Sequence, residues 1–331
     1  MDACILRQRK DDESGSETDE FATQVAETAK SIVKTCRNTV SSTASIVSHE
    51  SLPEWMKDND FLVHGHRQPM PSFRHCFRTI FHVHTETGNI WTHLFGFALV
   101  SLITAFSFCQ SRFGSGHFWS EKFLIIRELP GAQQAMFGVF FTGALLALLG
   151  SSLFHTVLIH SHKVNKIFSR LDYAGISILI VSCNIPAYYY TFFCYPNVNI
   201  FYSTAMILCG VTCIVVFFSD KLLTYRTFKG ILFAVFGLLG VIPMLHAVYL
   251  EGHEIALKQS ALIWLILMAV AYLSGASLYI SRIPERFLPG KCDIYGQSHQ
   301  IFHINVIFGI LFFYWALLSM AEYRHATGTC Q

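Results

Sequence analysis

The stretch Ser298–Met320 reads SHQIFHINVIFGILFFYWALLSM, and its reading decides the fold. It holds no Asp, Glu, Lys or Arg and is long enough to cross a hydrocarbon layer, which takes about 20 apolar residues as helix. His299 and His303 open it, four residues apart, so on a helix both project from one face, one turn apart. Ionisable groups in such segments are costly and mark function. Working outward, six more stretches have the same character: Ile90–Phe108, Gln134–Leu158, Asp172–Phe193, Ile200–Phe218, Gly230–Leu250 and Leu262–Ser281. The chain therefore reads as an all-α membrane protein of seven transmembrane helices. Pro186 and Pro243 fall inside the third and fifth spans and are expected to bend them.

Composition agrees. Of 331 residues, 52% are hydrophobic and only 14% charged, against about 25% charged in soluble domains. The net charge of +2 is uninformative by itself, and with no basic stripe to suggest it, nucleic acid is not expected as a partner. Residues 1–52, with the acidic, serine-rich run Lys10–Glu20, read as a disordered cytosolic tail. The first apolar span is then expected to target the membrane. Residues 53–89 read as an ordered cytosolic or interfacial segment, in which Ser72–Phe81 forms a short interfacial helix. The transmembrane domain follows at 90–320, with a short extracellular tail at 321–331. The ten cysteines include no CxxC pair. Cys209 and Cys213 lie one turn apart as small hydrophobes, Cys292 and Cys330 fall on opposite sides of the membrane, and no disulfide framework is expected.

Orientation follows from Lys and Arg near the spans. The side of the N-terminus collects twelve: Arg67, Arg74, Arg78, Lys163, Lys166, Arg170, Lys221, Arg226, Lys229, Arg282, Arg286 and Lys291. The other side collects five: Arg112, Lys122, Arg127, Lys258 and Arg324. The bias predicts a cytosolic N-terminus and, with seven spans, an extracellular C-terminus. G-protein coupling in its usual geometry is not expected of a bundle inverted in this way.

The same count sets the depth of a site. His155 ends the second span near the cytosolic face, Asp172 opens the third there, and His299 and His303 open the seventh. Three histidines from two helices make a three-ligand metal site, and zinc with a fourth position open to water is the catalytic pattern. Imidazole ligands also suit copper, nickel or iron, so zinc is an expectation rather than a deduction. Asp172 would hold or deprotonate a water at the open position, and Ser151, one turn before His155, would hydrogen-bond that water or a substrate carbonyl. Blander roles compete: a packing histidine at 155, a helix cap at Asp172, an interhelical packing serine at 151. His82, His84, His93, His160, His162 and His246 are read as structural or solvated.

Long strings of the chain resemble the progestin and adipoQ receptor family, most closely the adiponectin receptors. They are LPEWMKDNDFLVHGHRQPMPSFRHCF at Leu52–Phe77, HTETGNIWTHLFGF at His84–Phe97, SSLFHT at Ser151–Thr156, FSRLDYAGI at Phe168–Ile176, RIPERFLPGKCDI at Arg282–Ile294 and QSHQIFHI at Gln297–Ile304. The family is similar to alkaline ceramidases within a wider group of membrane hydrolases. Its metal motif falls on Ser151, His155, Asp172, His299 and His303 without departure. The resemblance implies zinc near the inner face, lipid and fatty-acid metabolism, receptor signalling and control of membrane composition. It further implies a plasma-membrane location, ceramide or a free fatty acid in an intramembrane cavity, an extracellular ligand of the adiponectin type, and a cytosolic adaptor at the N-terminal segment. Two functions stay open: a receptor-like ceramide amide hydrolase, or a signalling receptor whose zinc only ties helices together. No inverted repeat or charged track favours a transporter.

Overall fold

The computed structural model describes residue 27, residues 46–109, 126–219 and 226–328, and residue 330. Of the expected tail, residues 1–45 lie outside the described residues apart from Glu27. Within the described part of that tail, β1 (Ile46–Val47) pairs antiparallel with β2 (His66–Arg67), in the register Ile46 to Arg67. Leu52 is buried between them in sequence. The expected interfacial helix is α1 (Phe73–Arg78), followed by a 3-10 turn at Thr79–Phe81.

Among the described residues, seven helical segments are long and apolar enough to cross a membrane. The first four are α2 (Thr87–Cys109), α3 (Gly131–Val157), α4 (His162–Thr191) and α5 (Pro196–Val216). The fifth is divided into α6 (Arg226–Leu238) and α7 (Val241–Glu251), and the short α8 (His253–Gln259) follows it. The last two are α9 (Leu262–Ser281) and α10 (Ser298–Thr327). Each proline has its own effect. The fifth span breaks at Leu239–Gly240, which leaves Pro243 in the first turn of α7, where a missing N–H costs nothing. α4 stays helical through Pro186.

α3 and α10 are the most buried spans. They enclose, with α4, an aromatic core of Phe137, Phe140, Phe141, Tyr190, Phe313 and Tyr314. By contrast α5 and α9 expose Ile200, Phe201, Leu208, Ile263 and Val270. An apolar surface of that extent suits lipid as solvent rather than water. Small residues let α3 and α4 approach closely: a Cβ on Gly175 would lie 3.1 Å from the Ala147 backbone, and one on Gly143 would collide with Ser182.

The longest overruns of the expected ends are at the start of α4 and the end of α10. Ser161 caps α4, its hydroxyl accepting the Val164 N–H, so the polar stretch HKVNKIFSR is helical and not a loop. α10 runs on to Thr327, through most of the expected tail. There the structure corrects the expectation of no disulfide: Cys194, just beyond α4, is bonded to Cys330 across 136 residues of sequence. The Arg324 guanidinium lies against both sulfurs and over the Phe193 ring, 3.8 Å from its centroid.

Candidate metal centre

The C-terminal turns of α3 and the first turns of α10 bring His155, His299 and His303 together. One ring nitrogen from each lies within 4.8 Å of the others. His155 and His303 are buried, while His299 is partly exposed. Ring nitrogens of His155 and His299, both Nε2, face one another at 3.1 Å. Two imidazole nitrogens bound to one zinc at about 2.0–2.1 Å in tetrahedral geometry stand about 3.3 Å apart, so this spacing fits a shared cation.

The remaining nitrogens fix the tautomers. His155 Nδ1–H donates to Glu86 Oε2 at 2.7 Å, and His303 Nδ1–H donates to the Asn89 carbonyl at 3.1 Å. In both rings the Nε2 lone pair is left for a metal, with the carboxylate–histidine arrangement that orients such ligands. The donor set therefore fits a transition-metal ion held by three imidazoles. His93, read as a control, is buried and stacks on His303 with ring centroids 3.6 Å apart.

Asp172 stands outside the three-nitrogen group. It lies well inside α4 and not at its start, so the capping role is overturned by the longer helix. Its carboxylate lies within the electrostatic reach of Ser151, His155 and Lys229. Ser151 is buried, as is Lys229, whose ammonium donates to the Tyr173 hydroxyl at 2.6 Å. His246 stays remote, bonded to Tyr202 at 3.0 Å on α7.

The segment ahead of α2 carries what the sequence reading missed. Arg67 is buried and donates to the carbonyls of His155 (2.6 Å) and Thr156 (3.1 Å) and to the Thr79 hydroxyl (2.7 Å). Burial pulls its guanidinium down to about 10, with Glu86 opposing. Burial works against ionisation of Glu86, but the His155 hydrogen bond and charge, the Asn89 amide and Arg67 outweigh it and hold the carboxyl below its usual range. His84 is buried too: Nε2–H donates to the Thr79 carbonyl, Nδ1 accepts the Glu86 N–H, and burial together with Arg67 lowers its pKa to about 3. The nearest signal in sequence was the cluster of Glu86, Asn89 and His93 at three- and four-residue spacing at the head of the first span.

Comparison with known proteins gives a consistent picture. Residues 81–314 match the family described as haemolysin-III related. The chain is 42% identical over 287 residues to an adiponectin receptor protein of Drosophila melanogaster, covering 86% of this chain and 62% of that one. It is 40% identical over 319 residues to progestin and adipoQ receptor-like protein 1 of Caenorhabditis elegans, covering 96% and 69%. An ADIPOR-like receptor of Saccharomyces cerevisiae is 32% identical over 285 residues, 85% of each chain. The chain thus spans less than two thirds of the Drosophila relative's length.

Proposed function

Because the chain belongs to the haemolysin-III-related family, together with adiponectin-receptor and progestin-and-adipoQ-receptor proteins, we propose that it is a receptor-like regulator of membrane lipid composition. It is a multi-pass membrane protein. Its three-histidine group holds zinc, and the site hydrolyses a ceramide-type amide to a free fatty acid and a sphingoid amine. The observation that carries the reading is the donor count. Among the described residues only three side chains make up the group, whereas structural zinc is closed by four ligands.

When bound, zinc would polarise the amide carbonyl and lower the pKa of a water in the fourth position. The chain's own residues do the rest. Asp172 accepts the proton of the water that attacks the carbonyl carbon and returns it to the nitrogen as the carbon–nitrogen bond breaks. Ser151 holds the Asp172 carboxylate in place. Glu86 and the Asn89 carbonyl keep two of the imidazoles in the ligating tautomer.

The expected plasma-membrane orientation, with the C-terminus outside, is supported by the arginine and lysine bias and by the Cys194–Cys330 bond. Disulfides persist on the oxidising side of a membrane. An extracellular ligand of the adiponectin type, which the name of the Drosophila relative supports, and a cytosolic adaptor belong to the same proposal. Purified protein and an Asp172→Asn variant, matched for zinc content, given labelled ceramide provide the test. Turnover by the parent and a loss of roughly 100-fold or more in the variant are expected. A zinc-loaded parent that releases no fatty acid leaves the metal as a tie between helices and ends the enzymatic reading.

A further inference from the structure

The short helix α1 lies against the end of α3 and the loop after it, with Cys76 buried against Val157 and Ile159. At 3.6 residues per turn, Phe73 and Phe77 share one face, and Arg74 and Arg78 share the next, opposite Cys76. All four are exposed. Phe81 continues the aromatic face after the helix and is 80% exposed, its ring 6.3 Å from that of Trp91 on the first turns of α2. Trp91 and Phe95 then carry the same apolar surface along the first membrane span. Phe73 also meets His160 at 4.2 Å, in the loop that leads to His162 and Lys163.

Three phenylalanines facing water would be an unexplained cost. They are explained if the face is wetted by lipid, since it runs without interruption into a span surface that must be. The arginines decide what kind of lipid. Among the described residues neither guanidinium has an ion-pair partner, and both stand on the helix face next to the exposed phenylalanines. Arginine presents a fork of donors matched to phosphate and carboxylate oxygens. We propose that α1 is a binding site for anionic phospholipid, with Phe73, Phe77 and Phe81 in the acyl region and Arg74 and Arg78 on the headgroup. A zwitterionic lipid satisfies the phenylalanines but brings its own ammonium to the arginines, so the surface selects for net negative charge.

The test uses the full-length protein in mild detergent, titrated with phosphatidylserine or phosphatidylcholine and read by native mass spectrometry, with Tm recorded alongside. The parent is expected to bind phosphatidylserine roughly 30-fold more tightly than phosphatidylcholine, on the scale set by two basic residues at a membrane surface. Raising the salt concentration shrinks that ratio. In Arg74→Gln/Arg78→Gln the preference collapses towards unity while Tm in phosphatidylcholine is unchanged, because neither side chain holds the fold. In Phe73→Ser/Phe77→Ser both lipids weaken together and the ratio survives. Equal binding of the two lipids by the parent, or a double glutamine variant that keeps the preference, overturns the proposal.

Discussion

Replacing Glu86 by alanine removes the acceptor of the His155 Nδ1–H and of the Asn89 amide, hydrogen bonds of 2.7 and 2.8 Å. Asn89 in turn offers its carbonyl to His303. One turn of chain at the head of α2 therefore orients two of the three ligating imidazoles. Freed of its carboxylate, the His155 ring can turn or take the other tautomer, which puts a proton where the metal lone pair should be. Loss of such an outer-shell partner costs about 10- to 100-fold in metal affinity, which is about 1.4–2.7 kcal/mol. Glu86→Gln keeps a carbonyl oxygen in reach of Nδ1–H but removes the charge, so its loss should be smaller. The assay is competition for zinc against a chelator of known affinity, with His246→Ala as a remote control. The expected order of affinity is parent and His246→Ala together, then Glu86→Gln, then Glu86→Ala. An alanine variant that binds zinc as tightly as the parent would refute the claim that Glu86 sets the ligand tautomer.

Breaking the Cys194–Cys330 bond, by reductant or by Cys330→Ser, should lower stability by about 2–4 kcal/mol; a Tm identical in oxidised and reduced protein would show that the bond does not hold the end of α10. His84 makes stability depend on pH. Its pKa is about 3 in the fold against an ordinary 6.5, so below 6.5 the unfolded chain takes up the proton first. The stabilisation is complete above pH 6.5 and is lost as pH falls towards 3, at up to about 1.4 kcal/mol per pH unit. In chelator-treated protein, Tm between pH 7.5 and 5 should fall more steeply for the parent than for His84→Asn; parallel curves would reject this. Gly143→Ala places a Cβ in collision with the Ser182 side chain, forcing α3 and α4 apart at a cost of about 1–3 kcal/mol. The exchange Gly143→Ala/Ser182→Gly should recover most of it, and an unchanged Tm in the single variant would contradict the close approach.

The spans were legible because lipid imposes one crude requirement, a run of apolar residues long enough to cross, and Leu262–Ser281 was bounded to the residue by it. Helix ends answer to something finer. HKVNKIFSR is too polar to belong to a span and reads as a loop, yet the Ser161 cap and continuity with α4 make it helix. That shift moved Asp172 from a helix start to a helix interior. The histidines were legible through the i,i+4 spacing of His299 and His303 and the shared depth that seven spans give to His155. Arg67 reaches the same centre only by tertiary packing, which no periodicity announces, and the spacing of Glu86, Asn89 and His93 in HTETGNIWTH marks one helix face without naming what that face meets. The Cys194–Cys330 bond escaped for the same reason, its halves being 136 residues apart.

The segment before α2 is best understood as part of the metal centre. His155 and the histidine pair stand on helices that meet near the centre but share no short connection. Between them runs the chain from Asn59 to Asn89. Arg67 grips the last turn of α3 through the carbonyls of His155 and Thr156. The Val63 and His64 amides donate to Asp293, the Thr85 carbonyl accepts from Gln297, and Asn59 donates to Glu285. Glu285 also accepts the Ser298 N–H, where a carboxylate favours the positive end of α10. Each hydrogen bond is individually modest. Together they fix the start of one ligand-bearing helix against the end of the other, so the distance between imidazoles is set by residues that touch no metal. A lesion at Arg67 or Asp293 should therefore register first as weakened metal binding, before any change in helix content.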